Sequence, residues 1–253
     1  MSTAVPVRAG DEWAGADPYA VALCAGRGPL FLRRDDGWLL PLEVERWCRR
    51  ADRVDRDVLD RCEGAVLDVG CGPGRLIAEL AARGRTALGI DVHRTAVARA
   101  LRLGGRALCR SVFEPLPGEG RWDTALLMDG NIGIGGNADV LLARMKGLLR
   151  SGGLLITETD PADVDEHTQV RVVRHLGTRT AGTSFPWARL GTPALLHRAQ
   201  GWETAAHWTA GGRRFVALRS RSASSSAEPP NSTAVITSQR PRDPCADTPV
   251  AKR

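Results

Sequence analysis

Residues 66–75 read V-L-D-V-G-C-G-P-G-R, and this stretch decides the fold. The apolar run 65–67 leads into it and predicts a buried strand, while residues 75–82 predict a helix. Between them, glycines allow the backbone to turn with positive φ and to approach a ligand without an intervening Cβ. A buried strand, an acid, a glycine turn and a helix start together predict a ligand seat in an α/β protein.

The spacing of the glycines distinguishes between kinds of ligand. A dinucleotide fingerprint, G-x-G-x-x-G, would need a glycine at position 75 after Gly70 and Gly72, but Arg75 stands there. The pattern is instead D-x-G-x-G-x-G, with Asp68 two residues before the first glycine. It favours an adenosyl cofactor, so a nicotinamide oxidoreductase is the less favoured alternative.

This run resembles the first motif of the class I S-adenosylmethionine-dependent methyltransferases. The resemblance implies that the glycine loop lies under the methionine end of S-adenosyl-L-methionine. It also implies that the acid contacts the cofactor's amino group or an ordered water there. An ordinary glycine-rich turn is the alternative interpretation. The cofactor-binding residues that the resemblance implies in this motif are Asp68, Gly70, Cys71, Gly72 and Gly74.

Strands and helices alternate after this motif. Short apolar runs separated by helical segments predict a parallel sheet that is covered on both faces. The last two strands flank A-G-G at 210–212 and predict an antiparallel hairpin. The fold class is therefore α/β and doubly wound, with a seven-stranded, mainly parallel sheet closed by an antiparallel C-terminal hairpin, as in the class I family. The predicted strands are 65–69, 86–90, 106–112, 124–128, 153–157, 202–208 and 213–218, and the helices between them include 94–103 and 138–149.

Composition divides the chain into three parts. Residues 1–40 form an N-terminal segment in which apolar runs flank Asp-Asp-Gly, which predicts a hairpin and a possible cap over an acceptor. Residues 41–219 form the methyltransferase domain, which starts with helices predicted at 43–50 and 52–62. Residues 220–253 are rich in Ser, Pro and Arg and poor in large apolar groups, which predicts a disordered tail.

Ligands of an open α/β sheet bind beyond the carboxyl ends of the strands. Asp91 ends the second strand of the sheet, and a carboxylate there can accept hydrogen bonds from both hydroxyls of a ribose. The resemblance implies this ribose role for Asp91 and a neighbouring role for Val92. After the third strand the family usually carries an acid for the adenine amino group, but this chain has Ser111, Val112 and Phe113. The Ser111 hydroxyl, the Val112 backbone and the Phe113 ring are the predicted substitutes.

The loop after the fourth strand, 129–136, contains four glycines and two polar residues, which predicts a surface for close approach to a ligand. The resemblance places it under the methyl group, with Asp129, Gly130 and Asn131 as contacts for the cofactor or the acceptor. A flexible connector is the alternative. The loop lacks the Asn/Asp-Pro-Pro-aromatic signature of enzymes that methylate nucleic-acid amines.

Acceptor contacts are predicted from Glu158 and Asp160 at the exit of the fifth strand and from the segment 160–200. His167 and His175 lie eight residues apart, near two helical turns, and are candidate bases beside Asp129. The run S-F-P-W-A-R at 184–189 predicts a lid or wall for an organic acceptor, or a hydrophobic cluster that fixes the loop. Methyl transfer from a sulfonium requires alignment rather than an obligatory base, so the sequence names no certain catalytic residue.

The distribution of charge and the spacing of the cysteines limit the kinds of partner and cofactor that the sequence predicts. The formal charge of +6 is scattered rather than massed, which argues against nucleic acid as the partner. The six cysteines show no C-x-x-C pairing or metal-ligand spacing, which predicts no metal and, with no apolar leader or membrane-length run, a cytoplasmic protein. The leading hypothesis is methyl transfer to a small organic acceptor. An RNA or protein methyltransferase and a non-catalytic cofactor-binding protein of the same fold are the alternatives.

Overall fold

A computed structural model of the chain describes residues 17–174 and 183–220. The helices in this part are α1 (Pro18–Ala25), α2 (Val44–Cys48), α3 (Arg53–Asp60), α4 (Arg75–Ala82), α5 (Arg94–Arg102), α6 (Ala138–Leu148) and α7 (Thr192–Arg198). The strands are β1 (Phe31–Arg34), β2 (Leu39–Pro41), β3 (Val66–Val69), β4 (Ala87–Asp91), β5 (Ala107–Cys109), β6 (Trp122–Leu127), β7 (Leu149–Thr159), β8 (Asp165–Val173), β9 (Phe185–Leu190), β10 (Trp202–Ala210) and β11 (Arg213–Ser220).

The main sheet has seven strands in the order β10-β11-β7-β6-β3-β4-β5. The pairs among β3, β4, β5, β6 and β7 are parallel, whereas β11 pairs antiparallel with both β7 and β10. The predicted fold class is therefore confirmed. Strand limits differ from the prediction by a few residues, most at β7, which begins four residues before the apolar run that indicated it.

The core lies on both faces of the central strands. All four residues of β3 are buried, with Leu67 and Val69 on the face covered by α6 and Val66 on the face covered by α3 and α4. A strand buried on both faces reads as a continuous apolar run, which is why this one was recognisable in the sequence. Asp68 is the polar exception in this strand.

A second sheet corrects the prediction for residues 160–200. Much of this segment forms β8 and β9, which join β1 and β2 in a four-stranded antiparallel sheet of order β2-β1-β8-β9. The predicted N-terminal hairpin is confirmed, with Leu32 paired to Leu40. The polar, half-exposed β8 gave too weak a signal, because only Val170 and Val173 of its nine residues are fully buried.

The second sheet also corrects the interpretation of the spacing between the two histidines. His167 lies on β8, so helical spacing does not apply to it, and His175 falls outside the described residues. Helix α1 was also missed. It begins at Pro18 and is capped by Asp17, whose carboxylate accepts hydrogen bonds from the backbone N–H groups of Tyr19 and Ala20.

The second sheet meets the loop after β6. Trp187 of β9 makes a β-bridge with Ile134, and a Cβ on Gly133 would lie 2.2 Å from the carbonyl oxygen of Ala188. Glycine is therefore required for β9 to approach this closely. Within residues 17–174 and 183–220, no helix has both the length and the apolar character to cross a membrane.

Candidate active site

The glycine loop between β3 and α4 is a tight backbone bend. Gly70, Gly72 and Gly74 have φ of +73°, +52° and +90°, which side chains disfavour. A Cβ on Gly74 would lie 2.5 Å from the Cβ of Ala100, so this glycine lets α4 begin against α5. Among the described residues, only the Tyr19 hydroxyl would lie within 4 Å of a Cβ on Gly72, at 3.7 Å. The loop is therefore packed below its first and last glycines and open above its middle one.

Cys71 fills the space behind the loop. Its Sγ would lie 2.7 Å from a Cβ on Gly89, so the thiol occupies the room that this strand glycine leaves. Burial raises the pKa of Cys71 well above its ordinary value, which keeps the thiol neutral. Cys71 thus has a packing role, and its backbone N–H donates to the carbonyl of Ile90 at 2.9 Å.

Asp68 is buried at the end of β3, with 1% of its surface exposed. Its Oδ2 has no hydrogen-bond partner among the residues that the structure describes. Burial raises the pKa of Asp68 to about 7, although the nearby guanidinium of Arg75 opposes the rise. An orphaned buried carboxylate oxygen beneath a glycine loop fits a group that donates a hydrogen bond, such as an amine or a water.

The Asp91 carboxylate lies against the glycine loop, where the ribose contact was predicted. Its Oδ2 accepts from the backbone N–H of Gly72 at 2.9 Å, and its Oδ1 accepts from that of His93 at 2.8 Å. Each oxygen keeps acceptor capacity, which a pair of hydroxyls could use. Burial raises the pKa of Asp91, while these backbone hydrogen bonds oppose the rise. Val92 is 62% exposed, which leaves its backbone as the part that lies next to this carboxylate.

The predicted adenine contacts follow β5 as a turn. The Ser111 hydroxyl accepts from the backbone N–H of Phe113 at 3.3 Å, which makes its oxygen part of the turn. Val112 is a core residue whose carbonyl accepts from Arg144 Nε at 2.8 Å. The Phe113 ring is 43% exposed and lies against Gly135, whose Cβ would be 2.7 Å from the ring. Of the three residues, Phe113 therefore presents the largest free surface to a flat base.

The loop after β6 is locked onto the glycine loop by Asn131. Its Nδ2 donates to the carbonyls of Val69 and Gly70, both at 2.9 Å. A Cβ on Gly70 would lie 2.5 Å from this nitrogen. Asn131 therefore positions the loop with its amide nitrogen. Gly130 has φ of +82°, and beyond its chain neighbours no atom of residues 17–174 or 183–220 lies within 4 Å of its Cβ position.

Asp129 is held by arginines. Its φ of +58° is unusual for a residue with a side chain, and its carboxylate contacts Arg75 at 2.6 Å, Arg46 at 2.9 Å and Arg213 at 3.4 Å. Burial tends to raise the pKa of Asp129, but these arginines hold it below its ordinary value. A carboxylate so paired is a poor proton acceptor. Asp129 therefore fixes the loop rather than offering a free base.

The same arginines extend a buried ion network that sequence reasoning missed. Asp55 of α3, with no exposed side-chain surface, contacts Arg75 and Arg213, each at 2.8 Å. Glu158 of β7 contacts Arg213 at 2.7 Å and accepts from the backbone N–H of Asp129 at 2.8 Å. Three carboxylates therefore offset the charges of three arginines; the carboxylates are those of Asp55, Asp129 and Glu158, and the arginines are Arg46, Arg75 and Arg213. The sequence contains one signal for this network. Asp55 stands on the apolar side of a predicted helix, and an acid in that position implies a buried partner.

The candidate acceptor residues lie around this region. His167 Nδ1 donates to the carbonyl of Gly136 at 2.5 Å, and the side chain is 40% exposed. Asp160 is paired with Arg189 at 2.9 Å. Phe185 and Trp187 are half-buried neighbours on β9 with ring centroids 6.2 Å apart. In the described part of the chain, no group of three or more His, Cys, Asp or Glu side chains could hold a metal ion.

Comparisons with known proteins agree with this geometry. A family model described as a methyltransferase domain matches residues 66–153, which run from β3 into β7. No curated protein sequence matches the chain. Many solved structures do match, at low identity.

Three structural relatives illustrate the likeness. An S-adenosylmethionine-dependent methyltransferase from Bacteroides fragilis, solved with S-adenosyl-L-homocysteine, has a TM-score of 0.67 and 19% identity over 81% of this chain and 95% of its own. The glycopeptide N-methyltransferase MtfA, solved with the same ligand, has a TM-score of 0.52 and 15% identity over 68% and 90%. The PH0226 protein from Pyrococcus horikoshii has a TM-score of 0.51 and 11% identity over 66% and 87%.

At these identities the structures establish the fold, and the family model establishes the domain. Its matched segment contains the glycine loop, Asp91 and the Asn131 loop, all at the carboxyl edge of a sheet with the class I strand order. Residues 66–153 are thus matched by a methyltransferase-domain model, and the chain has the fold of S-adenosylmethionine-dependent methyltransferases of known structure.

Proposed function

We propose that this protein transfers a methyl group from S-adenosyl-L-methionine to a small organic acceptor. The observation that carries the cofactor half of the proposal is the glycine loop itself. Its open middle glycine lies beside the Asp91 carboxylate, and the orphaned Asp68 oxygen lies below it. Structural relatives solved with S-adenosyl-L-homocysteine or S-adenosyl-L-methionine support the same cofactor.

The residues present fit this cofactor. Asp68 can accept from its amino group, Asp91 from its ribose hydroxyls, and the Phe113 ring can pack against its base. When bound, the cofactor supplies an electrophilic methyl group on a sulfonium. What the chain adds is alignment and exclusion of water, an effect that can contribute about 7–11 kcal/mol to lowering a barrier.

The loop after β6 is the proposed platform for that alignment. Asn131 ties it to the glycine loop, and the arginines tie Asp129 to α2, α4 and β11. Rigid support of this kind keeps the acceptor atom in line with the methyl group. A general base is required only for an acceptor that must lose a proton first, and His167 is the remaining candidate among the described residues.

The second sheet supports a small acceptor. It approaches the platform through the Trp187–Ile134 bridge, so the chain's own strands stand beside the proposed methyl position. Phe185 and Trp187 would provide an apolar wall. We propose that the N-terminal hairpin forms part of this wall. Residues 41–219 would then be the domain that binds the cofactor. The free thiols of Cys62 and Cys71 fit a reducing compartment, which supports a cytoplasmic location.

An RNA or protein methyltransferase is the alternative enzyme. The net charge of +6 allows an RNA acceptor, because cationic surface attracts phosphate, but this charge is scattered rather than gathered into one patch. Such an enzyme would need an open face over the proposed methyl position, and the approach of the second sheet to Ile134 argues against such a face. A binding protein without turnover is the second alternative, which product formation with any acceptor would exclude.

Calorimetric titration with S-adenosyl-L-homocysteine tests the proposal. We expect binding, and about 10-fold to 100-fold weaker binding by Asp91→Ala, because two charge-assisted hydrogen bonds to the ribose are lost. The control is Asp57→Ala, which removes an exposed carboxylate from α3. Absence of binding to the unmodified protein, or equal affinity in the Asp91 variant, would refute the proposed cofactor seat. A screen of small acceptors then tests the transfer itself.

A further inference from the structure

We propose that Tyr19 of α1 is a cofactor-binding residue whose hydroxyl donates a hydrogen bond to the carboxylate of the cofactor's amino-acid end. This inference rests on the proposed function, because it assumes the same cofactor in the same seat. It assigns α1, which precedes the matched family segment, to the cofactor rather than to the acceptor.

Helix α1 is held beside the seat by a short chain of contacts. The Asp17 carboxylate caps α1 and lies 2.5 Å from His93 Nε2. The Tyr19 ring packs edge-on against the His93 ring, with centroids 4.8 Å apart. His93 directly follows the β4 turn, and its backbone N–H is bound by Asp91. The elements that place the ribose acid therefore place Tyr19 as well.

The Tyr19 hydroxyl points to the glycine loop. Its oxygen lies 3.7 Å from the Cβ position of Gly72, the loop glycine that has open space above it. Tyr19 is only partly exposed, and its hydroxyl makes no hydrogen bond with the residues that the structure describes. A largely enclosed phenol normally finds a partner, so an unfilled hydrogen bond at this position suits a ligand.

The charges around the glycine loop indicate which part of the ligand the Tyr19 hydroxyl would bind. Burial, and after it the nearby Asp91 and Cys71, raise the pKa of Tyr19 well above its ordinary value, so the phenol stays protonated and can donate. The other side chains around the loop include the carboxylates of Asp68 and Asp91, which repel an anionic ligand group. Arg46 and Arg75 already pair with Asp129. A carboxylate in this seat therefore needs a neutral donor, and Tyr19 is one.

Affinity for two ligands provides the test. S-adenosyl-L-homocysteine carries the amino-acid end, and 5′-methylthioadenosine lacks it. For Tyr19→Phe we expect about 10-fold to 100-fold weaker binding of the first ligand, the range for a hydrogen bond to a charged group. The affinity for 5′-methylthioadenosine should stay unchanged. The matched control is Thr204→Val, which deletes an exposed hydroxyl on β10 and should alter neither affinity.

A second readout uses the fact that Tyr19 is the only tyrosine of the chain. Protein labelled with ring-¹³C-tyrosine gives one tyrosine signal set, which should shift with S-adenosyl-L-homocysteine and much less with 5′-methylthioadenosine. This measurement on the unmodified protein decides the matter if Tyr19→Phe does not fold.

The outcomes separate the two hypotheses. If the unmodified protein does not bind S-adenosyl-L-homocysteine, the proposed function fails and this inference with it. If it binds but Tyr19→Phe binds equally well, or loses affinity for both ligands equally, only the role of Tyr19 is refuted.

Discussion

Replacing Asp68 with asparagine should make the ligand-free protein more stable at alkaline pH while weakening cofactor binding. The carboxylate is 1% exposed, and its Oδ2 has no partner in the described part of the chain. Burial raises its pKa in the folded protein from 3.8 to about 7. A carboxyl group with a raised folded pKa gives stability that is full below the unfolded pKa and is lost as the pH rises through the folded pKa.

The magnitude follows from that shift. At about 1.4 kcal/mol for each pKa unit, ionising Asp68 costs the folded state about 4 kcal/mol at pH 8, of which about 2 kcal/mol accumulates between pH 5 and pH 7. Asparagine has nearly the same shape and does not ionise. The free energy of unfolding of Asp68→Asn minus that of the unmodified protein should therefore rise by about 3 kcal/mol from pH 5 to pH 8.

Urea unfolding followed by tryptophan fluorescence at both pH values measures this difference. Asp57→Asn is the matched control, because its carboxylate is 49% exposed and lies 3.8 Å from Arg61. The free energy of unfolding of Asp57→Asn minus that of the unmodified protein should be nearly the same at both pH values. A constant difference for Asp68→Asn too, or greater loss of stability at pH 8 than at pH 5, would refute the assignment of Asp68 as a desolvated acid. The same variant should bind S-adenosyl-L-homocysteine more weakly.

Two further predictions concern the surroundings of the seat. Asp55→Ala should lower the free energy of unfolding by about 3–5 kcal/mol, because it removes one carboxylate partner from each of two buried arginines and leaves their charges incompletely offset. In the same urea assay Asp57→Ala should lose less than about 1 kcal/mol, and similar losses would show that the network is not a structural support. Gly74→Ala should lower the free energy of unfolding by about 2–4 kcal/mol in the same assay. The substitution combines a positive φ with a Cβ that would lie 2.5 Å from that of Ala100. A loss under about 0.5 kcal/mol would contradict the close packing of α4 on α5.

The sheet and the glycine loop could be predicted because their signals are local. The strand at Val66–Val69 is apolar except for Asp68, and the positive-φ glycines that follow it are typical of a tight turn. Asp91 was placed by its position directly after a strand. For each of these residues, the physical cause lies within a few positions of it in the chain.

The ion network could not be predicted because its causes are distant in sequence. Asp55 and Arg213 are brought together only when α3 packs beside the start of β11. The consequence for Asp129 is large, since a candidate base becomes a positioned, paired carboxylate. Tyr19 was overlooked for the same reason, because its nearness to Gly72 depends on how α1 packs against α5.

Strands β8 and β9 of the second sheet were missed for a different reason. Strand β8 alternates weakly, and its buried residues are set by its neighbours on both sides. The run at Phe185–Leu190 contains a proline, which usually argues against a strand, but Pro186 is exposed on β9 at the edge of the sheet.

The pairing of Phe31 with Val173 has a consequence for the nascent chain. The β1-β2 hairpin leaves the ribosome long before β8 does, and at about 5–20 residues per second the intervening stretch takes roughly 7–28 s to synthesise. During that interval the outer edge of β1 has no native strand to pair with, and Leu32 lacks its neighbour Val172. Co-translational assembly therefore begins with an open strand edge, the kind of surface on which two growing chains can pair with each other instead of with themselves.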